Sequence, residues 1–305
     1  MFAGLAQSSS VTCFLFLLVL RLSAQTAVPA APAEFLLNKA DLFARDGKLT
    51  AAESAAREYL QGHPNSADGH FLLGKILFLQ TRAKESLAEY TEGARHRVPS
   101  APDLKVVASD YVLLSDFPDA DKWFTKLLEW TPLDVQAWYD LGRTKYNENR
   151  FDEAIDAFHR TLQLDPANVK AEDNLGLSLG ALGRNEEAMA AYKRAIELQE
   201  KDANKNAGPY LDYGSLLIED NRVEEAIPLL LQALAISPND FRVHRELGKG
   251  YLHLNELEKA RLELEKAIEL APREGPLHFI LAQVFRKQGS LDKAKLETQR
   301  YTELK

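Results

Sequence analysis

Small side chains return every 34 residues along most of this sequence. Units can be set to open at Ala33, Ala67, Ala101, Val135, Val169, Ala207, Phe241 and Gly275. Every step between them is then 34 residues, except one of 38. The eighth position of each unit is small: Ala40, Gly74, Ala108, Gly142, Gly176, Gly214, Gly248 and Ala282. So is the twentieth: Ala52, Ser86, Ala120, Ala154, Ala188, Ala226, Ala260 and Ala294. A chain with this period folds as a stack of like pieces, because one piece is too short to bury a core alone.

Within a unit the spacing is helical. Positions four, seven, eight and eleven share one face of a helix. Large residues at seven and eleven, such as Leu73 with Leu77 or Leu247 with Tyr251, flank the small eighth residue and fill the gap around it. Pro64, Pro132, Pro166, Pro238 and Pro272 stand where a second helix must stop. Breakers such as Asp46-Gly47, Gly183 and Gly289-Ser290 mark a turn inside the unit. The expected fold class is therefore all-α: two antiparallel helices per unit, in units 33–66, 67–100, 101–134, 135–168, 169–206, 207–240, 241–274 and 275–305.

The stretch from Trp138 to Pro166 shows the pattern most fully. Trp138, Leu141, Gly142, Ala154, Phe158 and Pro166 follow the order W-x2-L-G, A-x3-F, P. This resembles the tetratricopeptide repeat (TPR) family, whose signature adds a tyrosine three residues after the glycine. Lys145 takes that slot here, and Tyr146 follows it. The resemblance spans 33–305 and implies a right-handed α-solenoid of about eight helix-turn-helix repeats. It also implies that first helices line a concave groove holding an extended peptide or a partner helix.

Three features interrupt the array. The long step places four extra residues (38 − 34) near Glu200 to Asn206, where the second helix of unit five is expected to run on. Pro228 falls inside a second helix, which it should kink unless it sits in the first turns. Lys295, Thr298 and Gln299 make the last helix polar, as a terminal cap must be.

The N-terminus is expected to be an export signal, residues 1–24, followed by an Ala/Pro-rich linker at 25–32. Val11 to Leu20 is nearly all apolar, and Leu22-Ser23-Ala24 offers a cleavage site, although no Lys or Arg precedes the apolar run. Ten apolar residues are too few for a membrane span, which needs about 20. Export would place the chain in the periplasm or cell envelope, with no stable span after cleavage. A cytoplasmic location is the alternative.

Chemistry is sparse. A net charge of −8 argues against nucleic acid as a partner. The single cysteine, Cys13, excludes a disulfide framework and a multi-cysteine metal site. His70, His244 and His278 all fall at position four, a packing position, and are not expected to bind metal. The sequence has no HExxH, phosphate loop or G-x-S-x-G, so no enzyme activity, cofactor or metal is expected.

What remains is surface. Positions two, five, nine, twelve and thirteen form one stripe along each first helix and are expected to face the groove. Phe71 and Phe78 make its early part apolar, Tyr139, Arg143, Tyr146 and Asn147 occupy its middle, and Arg242, Arg245, Lys249, Arg286 and Lys287 make its far end basic. That end would suit carboxylates of a partner's acidic segments. The family's carboxylate clamp is not expected, because Ser109 and Asp140 break the required set. The expected role is a non-enzymatic scaffold binding a protein segment. The alternatives are a cytosolic co-chaperone or adaptor, or an accessory subunit that brings substrate to a separate enzyme.

Overall fold

A computed structural model describes residues 33–200 and 205–305. The signal and linker expected over 1–32 lie outside the described residues. Sixteen helices and no strand are present among the described residues. They pair as hairpins: α1 (Ala33–Arg45) with α2 (Leu49–Gly62), α3 (Ala67–Leu79) with α4 (Ala83–Ala94), and α5 (Ala101–Leu113) with α6 (Phe117–Trp130). Next come α7 (Val135–Asn147) with α8 (Phe151–Leu164), α9 (Val169–Ala181) with α10 (Asn185–Gln199), and α11 (Gly208–Glu219) with α12 (Val223–Ile236). The last two pairs are α13 (Phe241–His253) with α14 (Leu257–Leu270), and α15 (Gly275–Lys287) with α16 (Leu291–Glu303). No helix is long and apolar enough to cross a membrane among the described residues.

Each hairpin closes on the small eighth residue. A Cβ on Gly142 would lie 2.6 Å from the Phe158 ring, and one on Gly176 would lie 2.5 Å from Tyr192. Gly74 meets Tyr90, Gly214 meets Leu230 and Gly248 meets Leu264 in the same way. In these five units the partner is always position twenty-four, so the missing methyl seats one large side chain, whereas Ala40, Ala108 and Ala282 take the place in the other three.

The turn between the helices has a second fixed element. Position fifteen has positive φ in every unit: Gly47, Thr81, Ser115, Asn149, Gly183, Asn221, Asn255 and Gly289. One left-handed residue reverses the chain at a helix C-terminus. Glycine and asparagine adopt it readily, whereas Thr81 at φ 60° carries strain. First helices are capped from the preceding loop: Ser66, Asp134 and Asn168 accept the N–H of Gly69, Ala137 and Ala171.

Units are joined by polar contacts as well as by the core. His70, Trp138 and His244, all at position four, donate to the carbonyls of Pro64, Pro132 and Pro238 in the preceding loops. His70, His244 and His278 also bond Glu89, Glu263 and Glu297 through Nδ1, at 2.7, 2.6 and 2.6 Å. These histidines are packing residues. Burial works against the charged form of His70, but Glu89 and the Pro64 carbonyl outweigh it and raise its pKa. On the second helices, Arg82 forks onto Glu85 and reaches back to Glu53, and Arg150 forks onto Glu153 and reaches back to Asp121.

The helices form two layers. Successive first helices touch each other as well as their hairpin partners, whereas successive second helices do not pack on one another, so the first helices form the inner row. That row is weakest between α5 and α7, which make at most glancing contact. One large apolar core runs from Tyr139 to Ala294, and three smaller clusters serve the earlier units. Helix α10 runs to Gln199, one residue beyond its usual counterparts. The buried Gln199 amide then bonds both the N–H and the carbonyl of Asn206, pinning the far end of the insertion. Helix α12 continues through Pro228 from its second turn. On α16, Thr298 accepts from Arg286, and Glu297 pairs with both His278 and Arg300.

Candidate functional site

The inner row carries two cavities, one on either side of α7. The first, of about 170 Å³, is lined by Phe78 from α3, Ser109, Val112 and Leu113 from α5, Phe124 from α6, and Asp140, Arg143, Thr144 and Asn147 from α7. It opens where α5 and α7 part. The second, of about 260 Å³, lies between Tyr146 of α7, Leu177, Gly180 and Ala181 of α9, and Asp212, Ser215, Leu216 and Glu219 of α11, with Tyr192 of α10 behind. Arg143 and Asn147 therefore face one cavity, and Tyr146 faces the other.

Two of the residues expected to line the groove, Tyr139 on α7 and Phe71 on α3, are placed differently. Tyr139 is buried against the Phe158 ring, with Arg143 over its face and Asn174 bonded to its hydroxyl at 3.4 Å. Phe71 is buried too, stacked on Tyr90 with the Arg97 guanidinium above it. Both sit at position five, which turns into the seam between first helices of neighbouring units. Burial there makes them packing residues, so neither presents a face to a partner.

The far end is also less basic than its sequence suggests. Arg242 bonds Asp240 at 2.6 Å, and Arg245 and Lys249 both bond the buried Glu246, at 2.7 and 3.0 Å. Arg286 donates to Thr298, and Lys287 donates to the Leu252 carbonyl. The acids Asp240 and Glu246 fall outside the groove stripe, so a count of groove positions misses them. Lys105, at position five of its unit, is likewise held by both oxygens of Asp134 at 3.0 Å. Lys145, in the tyrosine slot, is buried between Asp121 at 2.6 Å and Glu153 at 3.1 Å.

Acids gather in the middle instead. Burial raises Asp140, although Gln136 donates to it at 2.9 Å. Burial raises Asp212 as well; Arg242 opposes this, and Asp240 and Glu246 add to it. Asp173 is buried at 7% exposure, and its Oδ1 has no hydrogen-bond partner. Desolvation pushes its pKa up, and the nearby Asp212 pushes it further. Among the described residues no group of three or more His, Cys, Asp or Glu could hold a metal ion.

Two family models described as tetratricopeptide repeat match residues 24–67, 37–102, 108–169 and 139–203, and residues 179–249 and 217–276. The chain belongs to the tetratricopeptide repeat family. Among solved structures it is similar to a TPR protein from Parabacteroides merdae ATCC 43184, with a TM-score of 0.68 at 20% identity, covering 83% of this chain and 98% of that one. PilW, a type IV pilus biogenesis factor, superposes with a TM-score of 0.60 at 18% identity over 65% of this chain and 90% of its own. MamA does so with a TM-score of 0.52 at 21% identity, over 57% and 95%. At these identities the likeness concerns the fold. No curated protein matches the sequence. Position four, a tryptophan in the TPR signature, here holds three histidines as well, each anchored to a glutamate nineteen residues on.

Proposed function

We propose that this TPR array is a non-enzymatic scaffold that holds a segment of a partner protein along its inner row, with α7 as the central contact. The carrying observation is the pair of cavities opening on either side of α7, lined by Arg143, Asn147 and Tyr146. An extended segment or a helix lying across the row would place side chains in both. Tyrosine, arginine and asparagine provide apolar area and hydrogen bonds together, as interface centres do. Phe78 extends the apolar part toward α3. Arg286 and Lys287 extend the row at the far end, where Arg242, Arg245 and Lys249 are engaged by acids of the array itself.

The apolar run Val11–Leu20 supports a place of action outside the cytoplasm, in the periplasm or cell envelope. N-terminal sequencing of the native protein tests it: a start at Gln25 supports export, and an intact Met1 opposes it.

The scaffold reading is tested by cross-linking and mass spectrometry from the native compartment, with the full chain and with Tyr146→Ala/Arg143→Ala. Loss of a centrally placed anchor costs about 2 kcal/mol or more, roughly a thirtyfold weaker complex. Partners cross-linked equally well by the double variant, with unchanged circular dichroism, would place the binding surface elsewhere.

A further inference from the structure

The second cavity carries a chemistry of its own. At position five, where Phe71, Tyr139 and Leu211 fill the seam with apolar surface, α9 has Asp173. An acid at such a position loses its water, and other acids withdrawn from water are paired: Glu172 with Arg194, Glu246 with Arg245 and Lys249, and the half-buried Asp121 with Lys145 and Arg150, Asp110 of α5 being the exception. Among the described residues Asp173 forms no ion pair, and its Oδ1 has no hydrogen-bond partner. Its Oδ2 lies 2.9 Å from where a Cβ on Gly208 would stand, so the start of α11 is shaped around this carboxylate. One turn along α9 from Asp173 is Leu177, a wall of the cavity, and Asp212 stands in that cavity. The phenol of Tyr192, at the back of the cavity, is raised first by burial, then by Asp212 and Asp173, with Tyr146 and Glu219 adding to it. Tyr146, Tyr192, Asp212 and Glu219 line the cavity, and Asp173 lies one turn of α9 behind its Leu177 wall. Arg242, the cation that acts on Asp212, is held by Asp240 through its backbone N–H and its guanidinium.

We propose that the cavity between α7, α9 and α11 is a subsite for one lysine or arginine side chain of the bound segment. The aliphatic stem lies along Leu177 and Leu216, and the head group meets Asp212 and Asp173 beside the rings of Tyr146 and Tyr192. Such a side chain buries its stem on apolar surface and keeps its charge at the tip. Carboxylates supply charge-assisted hydrogen bonds, and the aromatic faces add a cation–π attraction. A neutral polar side chain would leave the bare oxygen and the negative field uncompensated. The overall charge of −8 draws a basic segment toward the row.

The inference rests on the groove reading given above, and the test has two arms so that the two can fail separately. In the first, the full chain is titrated with arginine amide and with norleucine amide, and the Tyr146 and Tyr192 ring resonances are followed. Arginine amide is expected to shift both rings saturably, and norleucine amide to leave them in place. Asp173→Asn/Asp212→Asn should weaken the arginine response roughly tenfold or more, without lowering the melting temperature, because the change removes buried like charges. No response to arginine amide, or an equal one in the double variant, overturns the subsite.

In the second arm, a displayed library of random dodecapeptides is selected on the full chain and on the double variant. Enrichment of Lys or Arg at one position, lost in the double variant, supports the inference. Peptides that bind with no cation preference overturn it and leave the groove reading intact. If no peptide binds, the groove reading falls, and the arginine amide arm alone decides the subsite.

Discussion

Two single residues are held against their own preferences. Asp110 on α5 is fully buried with both carboxylate oxygens unpartnered, and burial pushes its pKa up to about 7. The hydroxyl beside it, Ser86, donates to the Gly74 carbonyl instead. The same position in the next two units holds Thr144 and Ser178, whose hydroxyls bond the carbonyls of Asp140 and Asn174 at 2.8 Å. Asp110→Thr should therefore fit. The sign of the effect follows from the raised pKa. The folded state keeps a proton that the unfolded chain releases near pH 4, so wild-type stability falls between about pH 4 and pH 7. The variant should gain about 1–3 kcal/mol at pH 8 and clearly less at pH 5, as read by urea unfolding. An equal gain at both pH values would mean that the carboxylate charge is not the cause. The second residue is Thr81, left-handed at φ 60° where three other units use asparagine. Thr81→Asn should raise stability by up to about 1 kcal/mol, and a lower melting temperature would contradict the strain.

At the scale of the element, much of each hairpin was legible in advance. Positions eight and twenty are small because two helix backbones meet there, and composition records that directly. The left-handed residue at position fifteen was not legible as a rule, since glycine fills it in only three of eight units. Five other residues adopt the same φ, and their identities hide the common geometry. Position five misled for a related reason. A stripe drawn on one helix treats all its members as equally exposed, but the neighbouring unit covers Phe71, Tyr139, Asp173 and Leu211. The Asp173 subsite could have been found by asking which unit puts a carboxylate where others put a ring. Joints between second helices offer a further test. Arg150 is substantially exposed, so Arg150→Ala should cost no more than about 1 kcal/mol. Asp121 also holds the buried Lys145, so Asp121→Ala should cost more, about 1–3 kcal/mol. The reverse order in chemical denaturation would show that Lys145 depends on Glu153 alone.

Across the whole molecule the repeats are alike but their cohesion is not. From Tyr139 onward a single apolar core links unit after unit, whereas units one to four share three separate, smaller clusters. Repeat arrays are stabilised by neighbour interfaces, so local opening follows their strength. Amide hydrogen exchange should be slowest in α9 to α14 and markedly faster in α1 to α6. Uniform protection along the array would contradict this division.

The parting of α5 from α7 has a mechanical consequence. Hairpins on either side are closed by tight contacts between positions eight and twenty-four, so each hairpin is stiff in itself. At this joint the units are held together through α6 on α7, and the first cavity lies in its mouth. A side chain lodged there would touch α5 and α7 at once, and a wedging action would widen the angle between the units they open. Filling a space of about 170 Å³ would then read as a shift in the radius of gyration by small-angle scattering, and an unchanged radius would mean that the α6–α7 packing fixes the angle.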